Sequence, residues 1–174
     1  VLTGHHGEKF DDFSYPGLEL SFVQEPHQLG TGGALWNARD ELEDEFILLW
    51  GDDYHPIDYN PLVELHRKTS SLLTMTITPD HEEKNLQFEQ GRLVAYNKEE
   101  IDIGRFNGYE AGTSVVRKSV VLDHGKEGTW SWENTIYPAL STEIHVHVDS
   151  TQFWDIGTPE RLERLEKFFN ESSR

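Results

Sequence analysis

The sequence predicts a single α/β domain, spanning residues 1–174, with a mainly parallel sheet, flanking helices and a small β-rich insertion. Three observations carry this expectation. Strand-like and helix-like segments alternate through the first half of the chain. A continuous apolar run at residues 46–50 (FILLW) has the texture of a strand buried on both faces, and it stops at Gly51-Asp52-Asp53. After Pro79 the texture changes to short strand candidates separated by turn residues, which predicts hairpins.

The elements follow in order. Val1-Leu2-Thr3-Gly4 reads as the tail of a buried strand, so further chain is expected upstream. Residues 19–24 (ELSFVQ) are strand-like, and residues 29–33 form a glycine-rich turn. Leu35, Ala38 and Leu42 then recur at i, i+3 and i+7, one face of a helix. Asn60-Pro61 starts a second helix, with proline tolerated in its first turn. Residues 72–78 form a strand ended by Pro79. Residues 87–89 and 92–96 flank Gln90-Gly91 as a hairpin. Residues 113–117 are a further strand, residues 130–140 a short helix, and residues 145–148 and 153–156 short strands. A last helix is capped by Thr158-Pro159-Glu160 and turns Leu162, Leu165 and Phe169 inward.

Composition narrows the function. With 36% hydrophobic and 11% aromatic residues, the chain is globular and ordered. A formal net charge of −17 repels nucleic acid and anionic lipid, and excludes both as expected partners. Without cysteine there is neither a disulfide framework nor thiolate chemistry, which suits a reducing cytoplasm. No apolar run reaches the roughly 20 residues of a membrane span, and no signal peptide opens the sequence.

Three segments carry chemistry. In Glu25-Pro-His-Gln-Leu-Gly-Thr-Gly-Gly-Ala34, glycines between a strand and a helix let backbone approach a flat ligand and leave free N–H groups at a helix start. A tight strand-to-helix turn explains them equally well. Gly51-Asp52-Asp53 lies at the carboxyl end of the apolar strand, where open α/β sheets bind ligands and where a carboxylate can hold a hard cation such as Mg²⁺. A plain polar turn is the alternative. In Phe153-Trp-Asp-Ile-Gly-Thr-Pro-Glu160, Asp155 sits in an apolar segment, where a carboxylate needs a partner. Either its own turn supplies that partner, or it shares one divalent metal with Asp52. His145 and His147 share a strand face, which is a solvated face or a transition-metal site. Trp130, Trp132 and Trp154 line a pocket or pack the core.

Taken together and in this order, the three segments resemble the sugar-phosphate nucleotidyltransferases, in particular their mannose-1-phosphate and heptose-1-phosphate guanylyltransferase branch. The resemblance covers nearly the whole chain. It implies a Rossmann-like sheet of the nucleotide-diphospho-sugar transferase type, N-terminally truncated. It also implies transfer of a nucleotidyl group from an NTP to a sugar 1-phosphate. By that resemblance Asp52 and Asp155 are Mg²⁺ ligands. Glu25, Leu29, Gly30, Thr31, Gly32, Gly33 and Gly51 face the nucleotide. Lys98, Glu110, Gly112 and Glu133 face the sugar phosphate, with Lys98 also catalytic. Reading Asp52-Asp53 as a glycosyltransferase metal motif fits less well, because the Asp155 segment matches the nucleotidyltransferase ending.

The sequence departs from that pattern in three places. The family's opening Gly-Gly-x-Gly-Thr-Arg-Leu loop, which grips the triphosphate, has no counterpart here. Asn97 stands where the family has Glu, and Glu110 where it has Asn. The chain is therefore expected to be a fragment, a shortened relative, or a non-catalytic nucleotide or nucleotide-sugar binding protein. A shortened sheet would expose a strand edge, so a homo-oligomer is expected.

Overall fold

The computed structural model describes residues 1–97 and 104–172. In chain order the elements are β1 (Leu2–Thr3), β2 (Val23–Gln24), α1 (Gly30–Asn37), β3 (Glu45–Leu49), β4 (Asp53–Tyr54) and α2 (Tyr59–Thr69). They continue with β5 (Leu73–Thr78), β6 (Leu86–Glu89), β7 (Arg92–Tyr96), β8 (Tyr109–Arg117) and α3 (Lys118–His124). The last are α4 (Trp132–Leu140), β9 (His145–Val148), β10 (Trp154–Asp155) and α5 (Pro159–Ser172). They group into two compact units, one of Val1–Glu45 with Arg117–Ala139, the other of Phe46–Val116 with Leu140–Arg174.

In the first unit β1 and β2 pair in parallel, Leu2 opposite Val23 and Thr3 opposite Gln24. The strand expected over residues 19–24 is thus only its last two residues. The glycines expected in a separate turn open the helix itself, since α1 starts at Gly30. Leu35 and Ala38 face inward at 2% exposure each, as the spacing requires. Leu42 has already left the helix, because Asn37 ends α1 and residues Arg39–Glu41 form a 3₁₀ turn. Lys118 closes that turn from the start of α3, donating from its backbone to Asp44 O and from Nζ to Leu42 O. Trp132, Ile136 and Tyr137 of α4 are buried.

The second unit is a six-stranded sheet in the order β3-β8-β5-β9-β7-β6. The α/β class stands, and the sheet within it is mixed. β5 runs parallel to β9 but antiparallel to β8, while β7 is antiparallel to both β6 and β9. Among the described residues three strands and two helices stand between β5 and β9, ample chain for the return that their parallel pairing requires. The β6–β7 hairpin forms where expected, with Gln90 and Gly91 both at positive φ (50° and 75°) as a tight two-residue turn needs.

The apolar run at residues 46–50 is not the buried strand its composition predicts. β3 ends the sheet order, and Ile47 and Leu49 are 40% and 52% exposed. The strand buried along its whole length is β5, LTMTIT, held between β8 and β9. Of its buried threonines, Thr74 bonds through Oγ1 to His66 Nδ1 (3.0 Å), while Thr76 Oγ1 has no hydrogen-bond partner among the described residues. Position within the sheet, rather than apolar content, decides burial here. α5 is capped by Thr158, whose Oγ1 accepts the Arg161 N–H. Of the three residues expected on its inner face only Leu165 is buried; Leu162 and Phe169 are each 43% exposed, and Phe169 rests edge-on against Tyr54.

Candidate functional site

A two-residue ladder brings together the aspartates that the sequence singled out. β4 and β10 pair antiparallel, Trp154 opposite Tyr54 and Asp155 opposite Asp53. Ile156 N–H then donates to Asp52 O (2.7 Å), extending the pairing by one bond. Gly157 sits between the two side chains. A Cβ built on it would lie 3.1 Å from Asp52 Oδ2 and 3.2 Å from Asp155 Oδ1, so its missing side chain leaves a notch flanked by two carboxylate oxygens.

Both candidate explanations of Asp155 bear on the structure. Its Oδ1 accepts the Gly157 N–H (2.9 Å), a bond within its own turn. Its Oδ2 accepts from Arg161 Nη1 on α5, a residue that no sequence motif singles out. The surrounding field is strongly negative. Tyr109 is pushed up to about 12 by burial and then by Asp155, Glu83, Asp53 and Glu110. Next to Asp155 lies a cavity of about 440 Å³, lined among others by His81, Thr151, Phe153, Arg161 and Arg164.

The loop leading into β10 is fixed from below by histidines. His55 Nε2 donates to Thr151 O (3.1 Å), tying the segment after β4 to the segment before β10, and its ring meets Phe153 edge-on. Asp149 stands between His55 and His147, at 3.8 and 3.9 Å. Burial holds His55, His145 and His147 below the usual histidine value of 6.5, so the fold prefers them neutral. A lowered folded-state value means that the unfolded chain takes up protons first, and stability is lost as pH falls through 6.5. We therefore expect the change in melting temperature between about pH 7.5 and about pH 5.5 to be more destabilising in the wild type than in the double variant His145→Gln/His147→Gln, by roughly 2 °C or more. Parallel pH profiles for the two proteins would refute this. Among the described residues no group of three or more His, Asp or Glu side chains is arranged to hold a metal. His145 Nδ1 pairs with Ser71 Oγ.

The glycine-rich segment in the first unit is packed differently from its sequence reading. Gly32 and Gly33 donate their N–H groups to Trp130 O (3.0 and 3.3 Å), so the amides expected to be free are taken by the chain itself. Their missing side chains are also accounted for. A Cβ on Gly32 would meet the Trp130 ring at 2.1 Å, and one on Gly33 would meet Gly128 O at 2.4 Å. Gly30, at φ +70°, approaches Trp130 O in the same way. Trp130 and Trp132 are thus packing residues, 8% and 0% exposed, while Trp154 lines the cavity beside Asp155.

What remains open in that unit is a cavity of about 280 Å³ beside the start of α1, lined among others by Thr3, Glu25, Gln28, Gly30 and Thr31. Glu25 Oε2 accepts the Leu29 N–H (2.9 Å), and Leu29 is buried at 6%. Thr31 Oγ1 donates to Glu133 Oε2 (2.6 Å) and accepts the Trp132 N–H (2.9 Å), locking α1 to α4. Glu133, 4% exposed, also receives Ser131 Oγ.

In the second unit Glu110 is turned inward. It accepts from Trp50 Nε1 (3.3 Å) and from Gly112 N–H (3.1 Å), and is 7% exposed. Gly112, at φ +68°, must be glycine because a Cβ would lie 2.0 Å from Asp53 Oδ2. Gly51 is exposed beside Asp52 with open space around it. Lys98 lies outside the described residues.

Comparison with known proteins follows the same outline. A mannose-1-phosphate guanylyltransferase of Mycobacterium tuberculosis is 28% identical over 167 residues, covering 90% of this chain and 46% of that protein. A D-glycero-α-D-manno-heptose 1-phosphate guanylyltransferase of Aneurinibacillus thermoaerophilus is 23% identical, covering 96% of this chain and 76% of that one. The chain thus spans about half the length of the mannose-type relative. The crystal structure of HddC from Yersinia pseudotuberculosis superposes with a TM-score of 0.79 at 22% identity, over 96% of this chain and 76% of that one. HddC complexed with GMP-PN gives 0.70 at 26% identity, over 85% and 66%. A family model described as nucleotidyl transferase matches residues 4–107, and the chain belongs to that family, among the sugar-phosphate nucleotidyltransferases.

Proposed function

We propose that this chain serves Mg²⁺-dependent transfer of a nucleotidyl group from an NTP to a sugar 1-phosphate. In that reaction an oxygen of the acceptor phosphate forms a bond to the α-phosphorus, and the bond from that phosphorus to the β-phosphate oxygen breaks, releasing pyrophosphate. The observation that carries the reading is the β4–β10 ladder, which sets Asp52 and Asp155 on either side of the Gly157 notch. Two carboxylates with open space between them suit Mg²⁺, which binds few protein oxygens and keeps positions for water and phosphate. Bound there, the ion would neutralise charge on the phosphate oxygens as transfer proceeds.

The residues of this chain have separate tasks in this reading. Glu25, Gly30 and Thr31 line the cavity that takes the base and ribose. Glu133 and Trp132 hold Thr31 in place. Glu110 and Gly112 set the position of the segment carrying Asp53. His55 holds the loop before Asp155. Lys98 keeps only the role that its motif implies. The names of the relatives make GTP the first nucleotide to try, with mannose 1-phosphate and heptose 1-phosphate as acceptors.

The test is calorimetric titration with GTP, with and without Mg²⁺, alongside an assay for pyrophosphate release. Binding should strengthen with Mg²⁺, and Asp52→Asn and Asp155→Asn should each remove that gain, about tenfold or more. Mg²⁺-independent binding unaffected by either substitution would overturn the metal assignment. Binding without turnover would favour a nucleotide-binding role over catalysis.

A further inference from the structure

We propose that Arg161 is a built-in counter-ion for the candidate cation site, and that loading a divalent cation onto Asp52 and Asp155 frees its guanidinium for the cavity that Arg164 also lines. The inference rests on the metal reading above and adds a residue that the family motif does not supply.

Four observations point to it. Arg161 Nη1 holds Asp155 Oδ2, the carboxylate oxygen that does not face the Gly157 notch, while Oδ1 does face it. Arg161 lies in the first turn of α5, two residues after Pro159, where the positive end of the helix dipole disfavours a cation. Nothing in helix formation asks for arginine there, whereas the negative field of Asp155 and Glu83 does. The pair is also easily broken. The side chains are 41% and 23% exposed, and an ion pair of that exposure contributes little net stability. Finally, the cavity of about 440 Å³ is lined by both Arg161 and Arg164, one helical turn apart on α5. Arg164 has no carboxylate or hydrogen-bond partner among the described residues.

The consequence is a charge exchange. With no divalent ion present, Arg161 neutralises Asp155 and holds its side chain in position. A dication at the notch takes over that neutralisation and repels the guanidinium, which has the cavity to move into. There it stands one turn from Arg164, and the two present a planar, bidentate surface for the phosphate of the acceptor.

The test is Mn²⁺ binding to the full chain, followed by electron paramagnetic resonance, in wild type, Arg161→Gln, Arg161→Lys and Asp155→Asn. Removing a competing cation should make Arg161→Gln bind Mn²⁺ about three- to tenfold more tightly than wild type, with Arg161→Lys between them. On addition of Mg²⁺ to the wild type, the Nε–H resonance of Arg161 should shift. If Arg161 only orients Asp155, its loss weakens Mn²⁺ binding instead. Unchanged or weaker binding in Arg161→Gln, with binding still lost in Asp155→Asn, overturns the counter-ion role and leaves the metal site standing. A wild type that binds no Mn²⁺ removes both.

Discussion

Gly157→Ala should weaken Mn²⁺ binding at least about tenfold while leaving the melting temperature close to that of the wild type. The new Cβ would sit 3.1 Å from Asp52 Oδ2 and 3.2 Å from Asp155 Oδ1, in the space where an ion touching both oxygens has to be. The substitution adds no charge and removes no ligand. It is also tolerated by the backbone, because Gly157 lies outside the left-handed region, and alanine at such a site is neutral or mildly stabilising. Loss of binding with retained folding would therefore locate the ion between the aspartates. Mn²⁺ affinity equal to wild type would show that the two carboxylates do not share a cation.

Gly32→Ala should have the opposite profile, a large stability loss at a glycine that contacts neither Asp52 nor Asp155. Its Cβ would lie 2.1 Å from Cε3 of Trp130 and 2.2 Å from Cζ3. The ring has little freedom to retreat. Nε1 donates to Lys126 O (2.8 Å), the backbone N–H donates to Leu29 O (3.0 Å), and the carbonyl receives Gly32 and Gly33. Overpacking together with the loss of one such bond costs about 2–4 kcal/mol. For a chain of this size that is a fall in melting temperature of roughly 5–15 °C. Helix propensity alone would shift stability the other way by up to ~1 kcal/mol, so the sign of the change is diagnostic. A Gly32→Ala protein as stable as wild type would mean that Trp130 is not seated on α1.

These two glycines show what the sequence could and could not convey. Asp52 and Asp155 were legible as a pair because each stands out locally: one follows an apolar strand, the other sits inside an apolar segment. The β6–β7 hairpin and the cap of α5 were legible for a similar reason, since turn and cap residues act on neighbours a few positions away. The occupant of Gly32 is Trp130, about a hundred residues downstream, and no local pattern announces it. The FILLW run misled for a related reason. Composition reports how apolar a strand is, while exposure of Ile47 and Leu49 depends on which strands flank it. The sequence shows Glu110 only as a charge within a motif, because its partners, Trp50 Nε1 and Gly112 N–H, appear only once β8 is placed. Arg161 was invisible for the plainest reason: an arginine on an amphipathic helix reads as a solvated residue until its carboxylate is found.

The β4–β10 ladder also bears on when the site is assembled. Asp52 and Asp155 lie about a hundred residues apart, and the two-residue pairing with the Ile156 bond joins them, with His55 Nε2 to Thr151 O tying the same two segments. During synthesis the paired arrangement cannot exist until residue 157 has cleared the ribosome. Every shorter nascent chain carries Asp52 without its counterpart. Closing so long a loop carries an entropic cost that grows only slowly with its length. The Gly157 notch is therefore flanked by both carboxylates only once the two segments have met.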